Sequence, residues 1–249
     1  MDLYARVNIL GGRAVRLPRG DIDQAIALDA DPLAWARRWV GRGAPRLLIV
    51  DLDAAARRDG DNRSLISRML SELDVPVQVA GGIRSPSDVD RMLTAGAWRV
   101  VMGTAAIENQ NMVWDLCRLY HDRISVSLDV LEDEELATRG WTSNSGRFLE
   151  EVLIELSSAG VASFMVAEAG RDSLAEPPNF DVIRTALATV EQPVIAAGGV
   201  RNLADLTALT ELESAGRRLA GVVVGREVTV GRFSMEDAAE VLTRAGVDS

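Results

Sequence analysis

Val75-Pro76-Val77-Gln78-Val79-Ala80-Gly81-Gly82-Ile83-Arg84 returns further along the chain as Gln192-Pro193-Val194-Ile195-Ala196-Ala197-Gly198-Gly199-Val200-Arg201. The two glycine pairs stand 117 residues apart in a chain of 249 residues, close to half its length. Val100-Val101-Met102-Gly103 and Val222-Val223-Val224-Gly225 repeat in the same order, 122 residues apart. A period of half the chain, with four strand–helix units inside it, implies two half-barrels related by a two-fold axis.

Outward from these blocks the same rhythm continues: a short apolar run, a Gly- or Asp-containing turn, then a helical pattern. The spacing predicts strands over Tyr4–Ile9, Arg46–Val50, Val77–Ala80, Arg99–Met102, Ile124–Leu128, Ala162–Val166, Val194–Ala196 and Ala220–Val224. Most are rich in Val, Ile and Leu without polar alternation, as parallel strands buried on both faces should be. Helices are predicted over Pro32–Arg42, Asn62–Leu73, Pro86–Ala95, Asn109–Tyr120, Arg147–Ser158, Phe180–Thr189, Leu203–Ser214 and Met235–Arg244. Asp31-Pro32 and Ser85-Pro86 are start signals, a capping side chain followed by proline in the first turn. Eight strands alternating with eight helices at this length predict a single (βα)8 barrel domain over 1–249, with half-barrels about 1–122 and 123–249.

Composition narrows the chemistry. The hydrophobic share of 47% is that of an ordinary globular chain, and no apolar run reaches the roughly 20 residues of a membrane helix. The net charge of −10 argues against nucleic-acid or anionic-membrane partners. All basic residues are arginine, so Schiff-base lysines and a P-loop are excluded. The one histidine, His121, ends a helix and reads as a surface or packing residue, and the one cysteine, Cys117, allows no internal disulfide. No metal site or cofactor is expected, and carboxylates must carry any proton transfer. A cytoplasmic monomer is the default, since a closed barrel has no free sheet edge.

Glycines at strand C-termini let backbone amides approach an anion, and the following helix N-terminus favours it. The loops after strands 7 and 8 of a barrel are the usual phosphate site; here they carry Gly198, Gly199, Gly225 and Arg226. The repeat places Gly81, Gly82, Gly103 and Thr104 in the symmetric position. Tight turns alone would also call for glycine, but four loops in register favour two phosphate cradles on one mouth. The expected partner is a long small molecule with a phosphate at each end.

Gly81-Gly82-Ile83-Arg84, Gly103-Thr104-Ala105-Ala106, Val126-Ser127-Leu128-Asp129, Arg139-Gly140-Trp141-Thr142 and Ala197-Gly198-Gly199-Val200 resemble the phosphoribosyl isomerases of histidine biosynthesis. The resemblance runs from about Ala5 to Thr243. Asp61-Asn62-Arg63 and the Arg139–Thr142 stretch resemble the actinobacterial branch, whose members also isomerise phosphoribosylanthranilate of tryptophan synthesis. The resemblance implies an Amadori rearrangement of the bis-phosphorylated aminoaldose ProFAR to an aminoketose. One acid opens the ribose ring, and one base removes the proton next to the resulting imine.

On that resemblance Asp129 and Asp172 are the proton-transfer residues, and Asn8 stands where the family has the aspartate taken to be the base. A carboxamide cannot accept a proton near neutral pH; losing a positioned base costs about 10²–10⁴ in rate, roughly 3–5 kcal/mol. Further departures are Ala167-Glu168 in place of Thr-Asp and Ser173-Leu174 in place of Gly-Thr. Three readings of Asn8 stand open: an engineered substitution, a natural enzyme whose base is Asp51, Glu168 or Asp172, or a paralogue that binds phosphosugars without turnover. The related cyclase subunit is disfavoured, because it relies on a lysine in its first loop.

Arg16 is expected to bind substrate from the first loop, Arg139 and Trp141 from the strand 5 loop, where the indole could stack on a ring. Asp51 and Glu168 complete the expected binding set; Asp51 or Asp53 could instead cap a turn. Trp35, Trp39 and Trp114 read as packing residues.

Overall fold

The computed structural model describes residues 1–56, 60–131, 134–138, 143–169 and 175–247. Eight parallel strands close on themselves: β1 (Asp2–Leu10), β2 (Arg46–Asp51), β3 (Val77–Ala80), β4 (Arg99–Met102), β5 (Ile124–Val130), β6 (Ser163–Glu168), β7 (Val194–Ala197) and β8 (Gly221–Val224). Closure comes from β8 against β1, Ala5 opposite Val224, and the ring is continuous through β5 against β6, Ala167 opposite Asp129. Eight helices alternate with them: α1 (Pro32–Gly41), α2 (Arg63–Glu72), α3 (Pro86–Thr94), α4 (Gln110–Leu119), α5 (Leu149–Ser157), α6 (Phe180–Thr189), α7 (Leu203–Glu211) and α8 (Met235–Val247). The chain is a (βα)8 barrel, as the repeat predicts. No helix among the described residues is long and apolar enough to cross a membrane.

Helix starts follow local chemistry. Before α1, Asp31 accepts the Leu33 amide at 3.0 Å and Pro32 takes the first helical position, where its missing N–H costs nothing. Before α3, Ser85 and Asp88 form a reciprocal capping box. The apolar faces of the helices then bury against the outside of the strands in one large core, which includes Trp39 and, at its edge, Trp35 and Trp114.

Period 2 divides β1 cleanly. Leu3, Ala5, Val7 and Ile9 point outward into the helix layer. Tyr4 points inward to a smaller cluster with Leu48, Val101, Met165, Ile195 and Val223 that plugs the barrel. Above this plug β1 turns Arg6 and Asn8 toward the mouth. β5 repeats the division, with Val126 and Leu128 outward and Ser127 and Asp129 facing the mouth. Strands 1 and 5 therefore alternate after all: a small barrel needs apolar filling only at its floor.

Three departures from the sequence reading share a cause. Arg13–Arg16 and Ile26–Asp29 form an antiparallel hairpin extending β1, with Asn8 opposite Val15. Glu135–Thr138 and Ser143–Phe148 form another that extends β5, so α5 starts at Leu149 rather than Arg147. Glu213–Ser214 pairs with Arg217–Arg218, so α7 stops at Glu211 rather than running to Ser214. These ribbons are only two to six residues long, too short for hydrophobic periodicity or capping to announce them.

Candidate active site at the mouth of the barrel

The C-terminal strand ends surround a cavity of about 350 Å3, within the range of small-ligand sites. Asn8, Arg16, Asp129 and Glu168 line it, together with all eight glycine-loop residues: Gly81, Gly82, Gly103, Thr104, Gly198, Gly199, Gly225 and Arg226. Arg139, Trp141 and Asp172 lie outside the described residues.

Barrel closure sets the geometry of this group. Asn8 at the end of β1 and Asp129 at the end of β5 sit four strands apart in an eight-strand ring, so they face each other across the mouth. Glu168, at the end of β6, accepts a hydrogen bond at 2.6 Å from Asn179 Nδ2, which fixes its carboxylate beside Asp129's strand. The first loop is tied down from β2 and α2. Gly11 and Gly12, at φ +55° and +73°, donate their amides to Asp53 at 2.7 Å and to Asn62 at 3.0 Å. That anchor sets the hairpin that carries Arg16 over the cavity.

Asp51 corrects the expectation of a substrate-binding or basic role. It is fully buried, and its carboxylate accepts from the Ala54 amide at 3.1 Å, the Asn62 amide at 2.8 Å and Asn62 Nδ2 at 2.8 Å. With its oxygens committed to these donors and no place in the cavity wall, it caps the turn after β2.

The glycine pairs are demanded by packing as well as by any ligand. Gly81 and Gly82 have φ +92° and +66°, and Gly198 and Gly199 have φ +84° and +79°, all in the region that disfavours side chains. A Cβ on Gly81 would lie 2.2 Å from the Asp51 carbonyl oxygen, and one on Gly199 would lie 2.9 Å from Pro178 Cα. Arg84 then pins the β2 loop, donating to the carbonyls of Ala54 at 2.7 Å and Ala55 at 2.8 Å. The turns are tight, and they line the cavity.

Two charged residues that sequence reasoning passed over complete the wall. Arg6 points into the cavity two residues before Asn8, and its buried Nε meets no hydrogen-bond partner among the described residues. Glu227 is 3% exposed, and its Oε1 accepts the Gly225 amide at 2.9 Å. Burial pushes the Glu227 carboxyl above its ordinary value, against the opposing pull of the Glu227 and Gly225 amides and of Arg6 and Arg226. Burial likewise draws Arg6 below its usual value, opposed by Glu227 and Asp129. The signal was present: Arg6 shares the inward parity of Asn8, and Glu227 occupies the place that the 122-residue repeat gives to Ala105.

A parallel barrel with its polar groups collected at the strand C-termini, over a plugged floor, has the architecture of a (βα)8 enzyme site. Residues 2–234 match the family described as histidine biosynthesis protein, and the chain belongs to that family. Relatives named 1-(5-phosphoribosyl)-5-((5-phosphoribosylamino)methylideneamino) imidazole-4-carboxamide isomerase include proteins of Picosynechococcus sp. and Dehalococcoides mccartyi, each 37% identical. The matches cover 97% of this chain and 93% of the first relative, and 98% of this chain and 100% of the second. A protein of the same name from Parasynechococcus marenigrum is 38% identical over 97% of this chain and 94% of its own length.

Proposed function

We propose that the chain is a phosphoribosyl isomerase acting on ProFAR, the substrate class in its relatives' names, by an intramolecular aldose–ketose rearrangement. The observation that carries this reading is the convergence of Asn8, Asp129 and both sets of glycine loops on one cavity. A proton delivered to the ribose ring oxygen breaks the bond from that oxygen to C1 and leaves an iminium. Removal of the proton on C2 gives an enaminol, which tautomerises to the aminoketose. Asp129 and Asp172 are assigned to these transfers, with Asn8 orienting the substrate. Glu168, also on the wall, is a further carboxylate able to serve as base. Arg16, Arg139 and Trp141 are assigned to binding, without metal or cofactor.

A second reading is favoured by Asn8 itself: a phosphosugar-binding barrel with impaired turnover, because a carboxamide stands in the base position. Titration with ProFAR and a turnover assay, on wild type and Asn8→Asp, separate the two. Turnover by the wild type at rates typical of isomerases supports the enzyme. Binding without turnover, with activity gained in Asn8→Asp, supports the impaired barrel. Absence of ProFAR binding in both proteins removes both readings. Phosphoribosylanthranilate is the proposed second substrate, tested by complementation of a strain lacking that isomerase.

A further inference from the structure

The two glycine cradles are not equivalent, although the sequence repeat makes them look so. In the first half, Gly103 is followed at the second position by Ala105, whose methyl group can accept nothing. In the second half, Gly225 is followed by Glu227, and the carboxylate folds back onto the Gly225 amide at 2.9 Å. The amide of Gly225, in the loop that lines the cavity beside Arg226, is thus already occupied by a carboxylate belonging to the chain. On the adjoining strand β1, the inward residue level with Gly225 is Arg6: a Cβ on Gly225 would lie 3.1 Å from Arg6 Cβ. The matching inward residue of β5 is Ser127, two before Asp129 as Arg6 is two before Asn8. A cation and an anion therefore flank the second cradle, and both are missing from the matching positions of the first.

These two groups feel each other's charge, yet Arg6 makes no ion pair with Glu227 among the described residues. The buried Nε of Arg6 has no acceptor among the described residues, and an unmet buried donor is costly, so this atom leaves room for another acceptor. We infer that Glu227 is a built-in competitor for the ligand's second anionic end, and that Arg6 is the cation that receives either the ligand oxygen or the displaced Glu227 carboxylate. The first cradle takes phosphate freely. The second takes it only by moving Glu227 off the Gly225 amide. This makes Arg6 and Glu227 a specificity-determining pair that discriminates between ligands by their second end. The inference rests on the reading of the glycine loops as phosphate cradles.

Inorganic phosphate tests it, by calorimetric titration of the intact chain with the sites assigned from phosphate-soaked crystals. The wild type should fill the Gly81–Thr104 cradle first and the Gly198–Arg226 cradle at about tenfold or more higher concentration. Glu227→Ala, which installs the residue of the first half, should tighten the second site to within a few-fold of the first. Glu227→Gln keeps an acceptor but no charge and should fall between. Arg6→Met should weaken the second site and leave the first unchanged. Thermal melts establish that each variant is folded, and the wild-type and glutamine proteins carry the comparison if the alanine variant is not. Two equal sites in the wild type, or a second site unmoved by Glu227→Gln and Glu227→Ala, overturn the inference while leaving the cradles intact. Phosphate at neither cradle in any protein overturns the inference and the cradle reading together.

Discussion

Arg201 and Asp205 are joined by parallel contacts, Nε to Oδ2 and Nη2 to Oδ1, both 2.8 Å, one turn after the second glycine pair. Asp205 also accepts the Arg201 amide at 2.9 Å. The first half has the same backbone contact, with the Arg84 amide donating to Asp88 at 3.1 Å, but there the arginine side chain goes to the β2 loop. The Arg201 guanidinium holds Asp205 below the ordinary carboxylate range. Such a group adds stability above its unfolded pKa, about 3.9, and that stability is lost as pH falls through the lower folded value. Asp205→Asn should lower Tm at pH 7 by on the order of 2–6 °C, with the gap from wild type closing as pH falls below about 4. A gap constant over that range would mean the pair contributes shape and no charge.

Asp129→Asn tests the proton-transfer assignment. Turnover of ProFAR should fall by about 10²–10⁴, while inorganic phosphate binding stays within a few-fold. An equal loss in both would place Asp129 in binding.

The glycine turns differ in what a side chain would meet. At Gly198, with φ +84° and nothing within 4 Å of a built Cβ, alanine should cost about 1–3 kcal/mol of backbone strain. At Gly81 the same strain is joined by a collision with the Asp51 carbonyl oxygen at 2.2 Å, so Gly81→Ala should be the more destabilised in urea unfolding. Equal midpoints would show that the turn after β3 yields without cost.

Cys117 is 4% exposed on α4, and burial pushes its thiol up to about 11. Only about 10⁻³ of it is thiolate at pH 8, so alkylation by iodoacetamide should be slower than in the unfolded chain by on the order of 100-fold or more. Equal rates in native buffer and in denaturant would contradict that burial.

The internal repeat, the eight apolar runs and the capping residues determined the barrel, because each is a local property: strand burial, helix start and glycine turn are written in adjacent residues. They also brought Asn8, Asp129, Glu168 and the glycine loops to one mouth, since strand order places every C-terminal end on the same rim. Sequence alone could not sort Asp51 from Asp129, two carboxylates at strand ends. Only the fold showed that amides consume the first and that the second faces the cavity. Nor could it find that Arg6 and Glu227, 221 positions apart, come to feel each other's charge because β8 closes against β1. Contacts made by closing a ring are long-range in the chain, and no local pattern encodes them.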